Sequence, residues 1–309
     1  MKVSPAHAPP SPILRINLVL MAFVVSSGSV FAQESTHHMD HSHSSPANSM
    51  RVEVSAIQEW AKSRLAKSPR HQEWVKVKHG NREVNTFIVY PEVKSKATAV
   101  VVIHEINGLT DWVQSLTDQL AESGYIAIAP DFLSGMGPNG GGTTSFTERS
   151  AVGQAIRDLP PDQLTADLNA VVAYVGKLPA ANGKVAVAGF CWGGGQTFRY
   201  ATNNPNIKAA FVFYGPTPAT TEGPDKAALG RIKAPVYGFY AGNDARINAA
   251  LPTTIELMKE LGKTYEPVTY EGAGHGFMRA GEDPANTVEA NKKARDEAWE
   301  RWKKLLRAI

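Results

Sequence analysis

The 309-residue chain has one cysteine, Cys191, in the run Gly189-Phe190-Cys191-Trp192-Gly193. This is the pattern of a nucleophile elbow, G-x-S-x-G, with sulfur in place of the hydroxyl. Lys184-Val185-Ala186-Val187-Ala188 precedes it as a short apolar strand, and residues 194–202 continue from it as a helix. That strand–turn–helix context distinguishes an elbow from a small buried core cysteine, the ordinary fate of a lone thiol. The glycines fit the same reading, because so tight a turn strains the nucleophile's backbone and brings neighbouring chain against it.

A thiol nucleophile needs a base, and the base needs a group to orient it. Only one histidine follows Cys191: His275, in Glu271-Gly272-Ala273-Gly274-His275-Gly276-Phe277. Glycines on both sides suit a loop that carries a side chain into a site. Between the two lies the apolar strand Pro235-Val236-Tyr237-Gly238-Phe239-Tyr240, followed by Ala241-Gly242-Asn243-Asp244. An acid just past a strand's carboxyl end is where this arrangement seats its third member, so Asp244 is the expected partner of His275. Taken alone, Asp244 would read only as a turn former, and His275 as a solvated loop histidine.

Acyl transfer also requires donors for the oxyanion. The Trp192 N–H, at the start of the helix after the elbow, is one. The second is expected from the loop after an earlier strand, here His104-Glu105-Ile106-Asn107-Gly108 after Ala97–Ile103, and the Ile106 N–H is the natural donor. Glu105 directly follows the buried strand on the same side, and His104 beside it reads as a supporting residue.

Four segments, Gly-Phe-Cys-Trp-Gly-Gly at 189–194, His-Glu-Ile-Asn-Gly at 104–108, Ala-Pro-Asp-Phe-Leu at 129–133 and Ala-Gly-His-Gly-Phe at 273–277, together resemble the dienelactone hydrolase (carboxymethylenebutenolidase-like) family. The resemblance covers roughly residues 75–307. It implies an α/β-hydrolase fold and hydrolysis of an ester or lactone by a Cys191, His275, Asp244 triad. It also implies that Glu105 regulates the thiol, holding it at rest until ligand displaces the carboxylate and the Cys–His pair forms. A carboxylate beside sulfur opposes its ionisation, whereas an imidazolium and a helix N-terminus favour it. Arg279, four residues after His275, matches a position that meets the substrate's carboxylate in the family. The second such arginine stays open between Arg149 and Arg157, because the glycine-rich residues 135–144 depart from the family pattern. Trp192 and Asn107 depart as well, and they bear on the substrate more than on the chemistry.

The elements needed to position these residues follow from periodicity. Residues 74–78 and 83–90 form an antiparallel start turning at Gly80-Asn81, and further strands are expected at 98–103, 125–129, 184–188, 208–214, 236–240 and 265–270. Helices are expected at 111–123, closed by Gly124, and at 147–157, 162–178, 249–261 and 288–306, the last rich in i,i+4 charge pairs. Strands alternating with helices imply a mostly parallel central sheet covered by helices on both faces. Residues 73–309 form this one catalytic domain, large enough for a substantial core.

Residues 1–32, with Lys2 and Arg15, the apolar stretch 16–25 and Val30-Phe31-Ala32, read as a secretory signal peptide too short for a membrane span, with export to a bacterial periplasm expected. Residues 33–50 form a Ser/His-rich disordered linker whose His37, His38, His41 and His43 imply weak adventitious metal binding without ordered ligand geometry. Residues 51–72 are an N-terminal helical extension, with Ala56, Ile57, Trp60, Ala61 and Leu65 at helical spacing. Removing residues 1–32 takes two of the 32 basic residues and no acid, leaving 30 against 29 acids. So even a balance gives no drive toward nucleic acid. A single cysteine excludes an intrachain disulfide, and without a resolving thiol it also argues against redox chemistry. No cofactor or metal is called for, the partner is a small ester or lactone, and a monomer is favoured. The alternative of a different class is a non-catalytic or metal-binding exported protein on the same scaffold, which would have no use for a complete triad.

Overall fold

The computed structural model describes residues 58–309. The expected signal peptide (1–32), the expected linker (33–50) and residues 51–57 of the expected extension lie outside the described residues. The strands are β1 (Gln72–His79), β2 (Arg82–Val89), β3 (Ala97–Ile103), β4 (Ile126–Pro130), β5 (Ala181–Phe190), β6 (Ala210–Phe213), a two-residue hairpin β7 (Ala219–Thr220) and β8 (Gly223–Pro224), β9 (Val236–Asn243) and β10 (Tyr265–Gly274). The helices are α1 (Glu59–Ala66), α2 (Asp111–Glu122), α3 (Arg149–Arg157), α4 (Pro161–Gly176), α5 (Trp192–Asn203), α6 (Lys226–Gly230), α7 (Ala245–Asn248), α8 (Leu251–Glu260), α9 (Phe277–Glu282) and α10 (Glu289–Arg307). Eight strands make one sheet in the order β1-β2-β4-β3-β5-β6-β9-β10. β1 and β2 pair antiparallel, β2 runs antiparallel to β4, and every pairing from β4 to β10 is parallel. Fold class and sheet therefore agree with the α/β-hydrolase expectation.

The continuous apolar run of β3 has a direct cause. Ala99, Val101 and Ile103 enter the apolar layer on one face of the sheet, and Val100 and Val102 enter the layer on the other. A strand covered on both faces has no polar side to alternate with. The first layer is closed by Leu164, Leu168 and Val171 of α4 and Phe198 of α5. The second is closed by Trp112 and Leu116 of α2 and Trp302 of α10. Parallel strands β3, β5, β9 and β10 all end on the same edge, and the loops leaving that edge carry the candidate site.

Several boundaries differ from the sequence reading. The helix expected over 249–261 is α8, slightly shorter at each end and with Pro252 in its first turn, where the missing N–H costs nothing, and the short α7 before it was not anticipated. α6 and α9, too short for periodicity to reveal, went unforeseen. On α10 the charge pairs are mostly at i,i+3, such as Lys292–Glu289 at 2.9 Å, with one longer i,i+4 contact between Lys293 and Glu297 at 3.9 Å. α1 covers the sheet only indirectly: Ala61 is buried in the same layer as Trp112, and the Gln58 side-chain oxygen accepts the Trp112 N–H at 3.3 Å. Among the described residues no helix is long and apolar enough to cross a membrane.

One buried ion cluster ties the β1–β2 hairpin to the domain. Asp167 of α4 is fully buried, receives Arg82 Nε at 2.9 Å and hydrogen bonds to His79. The Arg82 guanidinium also donates to the Phe132 and Ser134 carbonyls at 2.8 and 2.9 Å. Removing one partner of such a pair leaves the other desolvated without compensation. Asp167→Ala should lower the unfolding free energy by about 3 kcal/mol. Urea denaturation at neutral pH would check it, and an unchanged midpoint would mean that solvent already screens the pair.

Candidate active site

Cys191 occupies the turn between β5 and α5 with φ 55° and ψ −116°, a region that side chains other than glycine rarely adopt. Its N–H donates to the Phe213 carbonyl of β6 at 3.0 Å, which ties the strained residue to the next strand. The glycines around it are required by close approach. A Cβ on Gly193 would fall 2.4 Å from the carbonyl oxygens of Ile103 and His104, and one on Gly189 would fall 2.1 Å from the Gly193 oxygen.

His275 leaves the end of β10 in a turn, and Asp244 follows β9 directly. The histidine Nδ1 and Asp244 Oδ2 are 2.5 Å apart, with Asp244 buried. With Nδ1 committed to the carboxylate, Nε2 is the nitrogen left for Cys191. The imidazole pKa is raised from 6.5 to about 9, chiefly by its hydrogen bond with Cys191. Burial opposes the rise, and the hydrogen bond that the ring donates to Asp244 adds to it. The structure thus brings Cys191, His275 and Asp244 together from three separate loops, with His275 hydrogen bonded to Asp244 and interacting with the thiol.

Ile106 lies in the loop after β3, and Trp192 opens α5 directly after the elbow. Neither backbone N–H has an acceptor among the described residues, so both donors remain available. Glu105 is buried and accepts Arg279 Nε at 3.0 Å. Its carboxylate therefore sits on a guanidinium while the thiol sits on His275. The family resemblance assigns that pairing of the thiol to the liganded state. Burial disfavours the Arg279 charge, but Glu105 outweighs it and raises the arginine's pKa. Arg279 lies on α9 instead of in an extended loop, with Gly276 at φ 80° opening the helix.

A cavity of about 530 Å³ adjoins this row, and Arg279 stands on its wall. Its lining includes Arg149, Asn107, Thr143, Phe146 and Gln58, but neither Cys191 nor His275. Arg149 Nε donates to the Asn107 side-chain oxygen at 2.9 Å. Arg157 is not on this wall, and it hydrogen bonds to Gln154 on its own helix at 3.3 Å. Of the two arginines left open by sequence, Arg149 is the one near Arg279. His104 is fully buried, contacts the Glu105 carbonyl through Nδ1 at 2.8 Å and stacks on Trp192 at 5.5 Å, and burial lowers its pKa.

Sequence reasoning missed Tyr214. It is fully buried at φ 40°, and its ring meets His275 edge-on at 5.1 Å. Its hydroxyl has no hydrogen-bond partner among the described residues, and burial, with Glu105 adding, pushes its pKa well up. It follows β6 in the run Phe213-Tyr214-Gly215, which reads in sequence as a strand end and nothing more. Gln58 and Thr143 of the cavity wall were also not anticipated, since one lies in the N-terminal extension and the other in the glycine-rich loop.

Comparison with known proteins bears on the whole domain. The sequence model of the Dienelactone hydrolase family matches residues 84–309. A protein of Saccharolobus solfataricus named "Putative carboxymethylenebutenolidase" is 31% identical over 260 residues, covering 74% of this chain and 95% of that protein. One of the same name from Methylorubrum extorquens is 34% identical over 188 residues, covering 58% of this chain and 62% of its own length. Among solved structures, a Klebsiella pneumoniae protein titled "Putative Dienelactone Hydrolase" superposes with a TM-score of 0.67 at 24% identity, covering 78% of this chain and 99% of that one. A Pyrobaculum calidifontis esterase superposes with a TM-score of 0.57 at 16% identity, covering 86% and 95%. Both share the fold.

The causes of the His275 shift give a measurable order. In the folded protein the ring should titrate near pH 9, well above the 6.5 of a free imidazole. In Cys191→Ala the midpoint should fall by more than in Asp244→Asn, because the thiol is the larger cause. The folded state holds a proton that the unfolded chain releases at lower pH. That contribution to stability is complete below pH 6.5 and is lost as the pH rises through about 9. NMR titration of the imidazole Cε1–H in the three proteins would decide it, and a wild-type midpoint at 6.5 would contradict the pairing.

Proposed function

The chain belongs to the dienelactone hydrolase family of ester and lactone hydrolases, and we propose that it cleaves a small ester or lactone through an acyl-enzyme on Cys191. The reading is carried by the row in which Asp244 orients Nδ1 of His275 and leaves Nε2 for the thiol. His275 takes the thiol proton, and the thiolate attacks the substrate carbonyl carbon while the carbonyl electron pair moves onto oxygen. The Ile106 and Trp192 N–H groups donate to that oxyanion, and their lack of other acceptors supports the assignment. Collapse breaks the carbon–oxygen bond, and the leaving alkoxide takes the proton from the imidazolium. Water, deprotonated by His275, then attacks the thioester and returns Cys191 to the thiol.

The substrate is one bearing a carboxylate. Arg149 and Arg279 share a cavity wall, and guanidinium forks suit planar carboxylates. Glu105 on Arg279 is the rival that such a ligand would displace, which is consistent with a thiol-regulating role. Export to the periplasm belongs to the same proposal, resting on the basic start, apolar stretch and small residues of 1–32.

Steady-state hydrolysis of a dienelactone and of a neutral p-nitrophenyl ester by residues 33–309 tests this. Cys191→Ala should reduce kcat by roughly 10⁴-fold or more on both. Arg149→Ala should raise KM for the lactone about tenfold and leave the neutral ester unchanged. Full turnover by Cys191→Ala would end the nucleophile assignment. Equal effects of Arg149→Ala on both substrates would end the carboxylate assignment alone.

A further inference from the structure

The motif Ala129-Pro130-Asp131-Phe132-Leu133 has no part in the chemistry above, yet its carboxylate is buried beside the site. Asp131 follows β4 and accepts three hydrogen bonds: from the Thr143 N–H at 2.8 Å, the Thr143 hydroxyl at 2.8 Å and the Leu133 N–H at 3.1 Å. The Thr143 hydroxyl in turn accepts the Leu109 N–H at 3.1 Å. A carboxylate kept off solvent is held by such charge-assisted bonds, and each is stronger than a neutral one. The relay therefore joins three separate segments. It runs from the end of β4, through the glycine-rich loop 134–148 that lines the cavity, to the loop 104–110 that carries Glu105 and the Ile106 N–H.

The fit leaves no slack. Gly108, at φ 77°, faces Thr143 so closely that a Cβ would fall 2.4 Å from the threonine hydroxyl oxygen. The turn containing it is closed by Gly108 N–H donating to the Glu105 carbonyl at 3.1 Å. Ile106, within that turn, is thereby tied to Leu109, and Leu109 to Thr143.

We propose that Asp131 and Thr143 form a latch that positions the Ile106 oxyanion donor and couples it to the cavity-lining loop, so that Thr143 is a positioning residue for catalysis. This rests on the hydrolase reading for its kinetic consequence, but the latch itself has an independent readout. When the latch is open, loop 104–110 and loop 134–148 loosen together. The oxyanion donor is then misplaced for every ester, whatever its size, while binding weakens only for substrates that fill the cavity.

The test compares wild type, Thr143→Val, which keeps the shape and removes the hydroxyl, and Thr143→Ser, which restores it. Thr143→Val should lower kcat on a small acetate ester about tenfold, short of the 10²–10³-fold loss seen when a whole oxyanion donor is removed. It should raise KM only for the larger carboxylated substrate, and Thr143→Ser should recover both. Hydrogen–deuterium exchange should show faster exchange in residues 104–110 as well as 134–148 of Thr143→Val. A merely structural role predicts instead a lower Tm with kcat unchanged on the small ester and with the two loops exchanging independently, and that result overturns the latch. If wild type lacks Cys191-dependent turnover, the hydrolase reading falls, and joint or separate loosening of the two loops still decides whether the latch exists.

Discussion

At Gly193 the backbone of the nucleophile turn lies against the end of β3 with no room for a single carbon atom. This contact fixes how the Cys191 turn and the loop bearing Glu105 stand relative to one another. Cys191 at φ 55° costs on the order of 1–3 kcal/mol, and such strain persists only where surrounding structure overdetermines it. Here it is overdetermined by β5 and β6 in the sheet interior, by the Cys191 N–H bond to Phe213, and by Phe190 packed on Phe213 at 4.6 Å just beneath. The aromatic layer below the elbow, continued by Phe239 and Trp302, is the support that a strained turn requires.

Charge in the site is arranged in compensated pairs. Asp244 supports an imidazole that favours its proton, and Glu105 supports a guanidinium that burial would otherwise penalise. Each pair lies close to the sulfur, so any rearrangement that moves one charge changes what the thiol experiences. Tyr214 sits between them with its ring on His275 and its hydroxyl unpartnered among the described residues.

Sequence disclosed the parts of the site that local chemistry dictates. Gly189 and Gly193 around Cys191, the single histidine after it and an acid at a strand end each have a reason readable from residue type, and they meet in space where the strand order sends them. β3 and α2 were legible because their periodicity is undiluted by function. What stayed hidden depends on distance across the chain. Thr143 contacts Asp131 over twelve positions and Leu109 over thirty-four, and nothing in Gly142-Thr143-Thr144 announces either bond. Arg149 and Arg157 are indistinguishable by sequence because they lie eight positions apart on one helix, and only the way α3 packs decides which meets the cavity. α7 was missed for a simpler reason: four residues are too few to show a helical period.

The cavity's two arginines are not equivalent, and the difference bears on how a ligand would be received. Arg149 is held by the neutral amide oxygen of Asn107, so an incoming carboxylate displaces a weak partner there. Arg279 is held by the buried carboxylate of Glu105, so a ligand reaching it must either displace a like charge or share the guanidinium with it. Binding would therefore be expected to begin at Arg149, where it costs least, and to reach Arg279 only when the ligand extends far enough toward the thiol. Asn107 is one position from Ile106, on loop 104–110. A ligand that took Arg149 from Asn107 would thus release a side chain on loop 104–110, whose hold would then rest on its ties at Gly108 and Leu109.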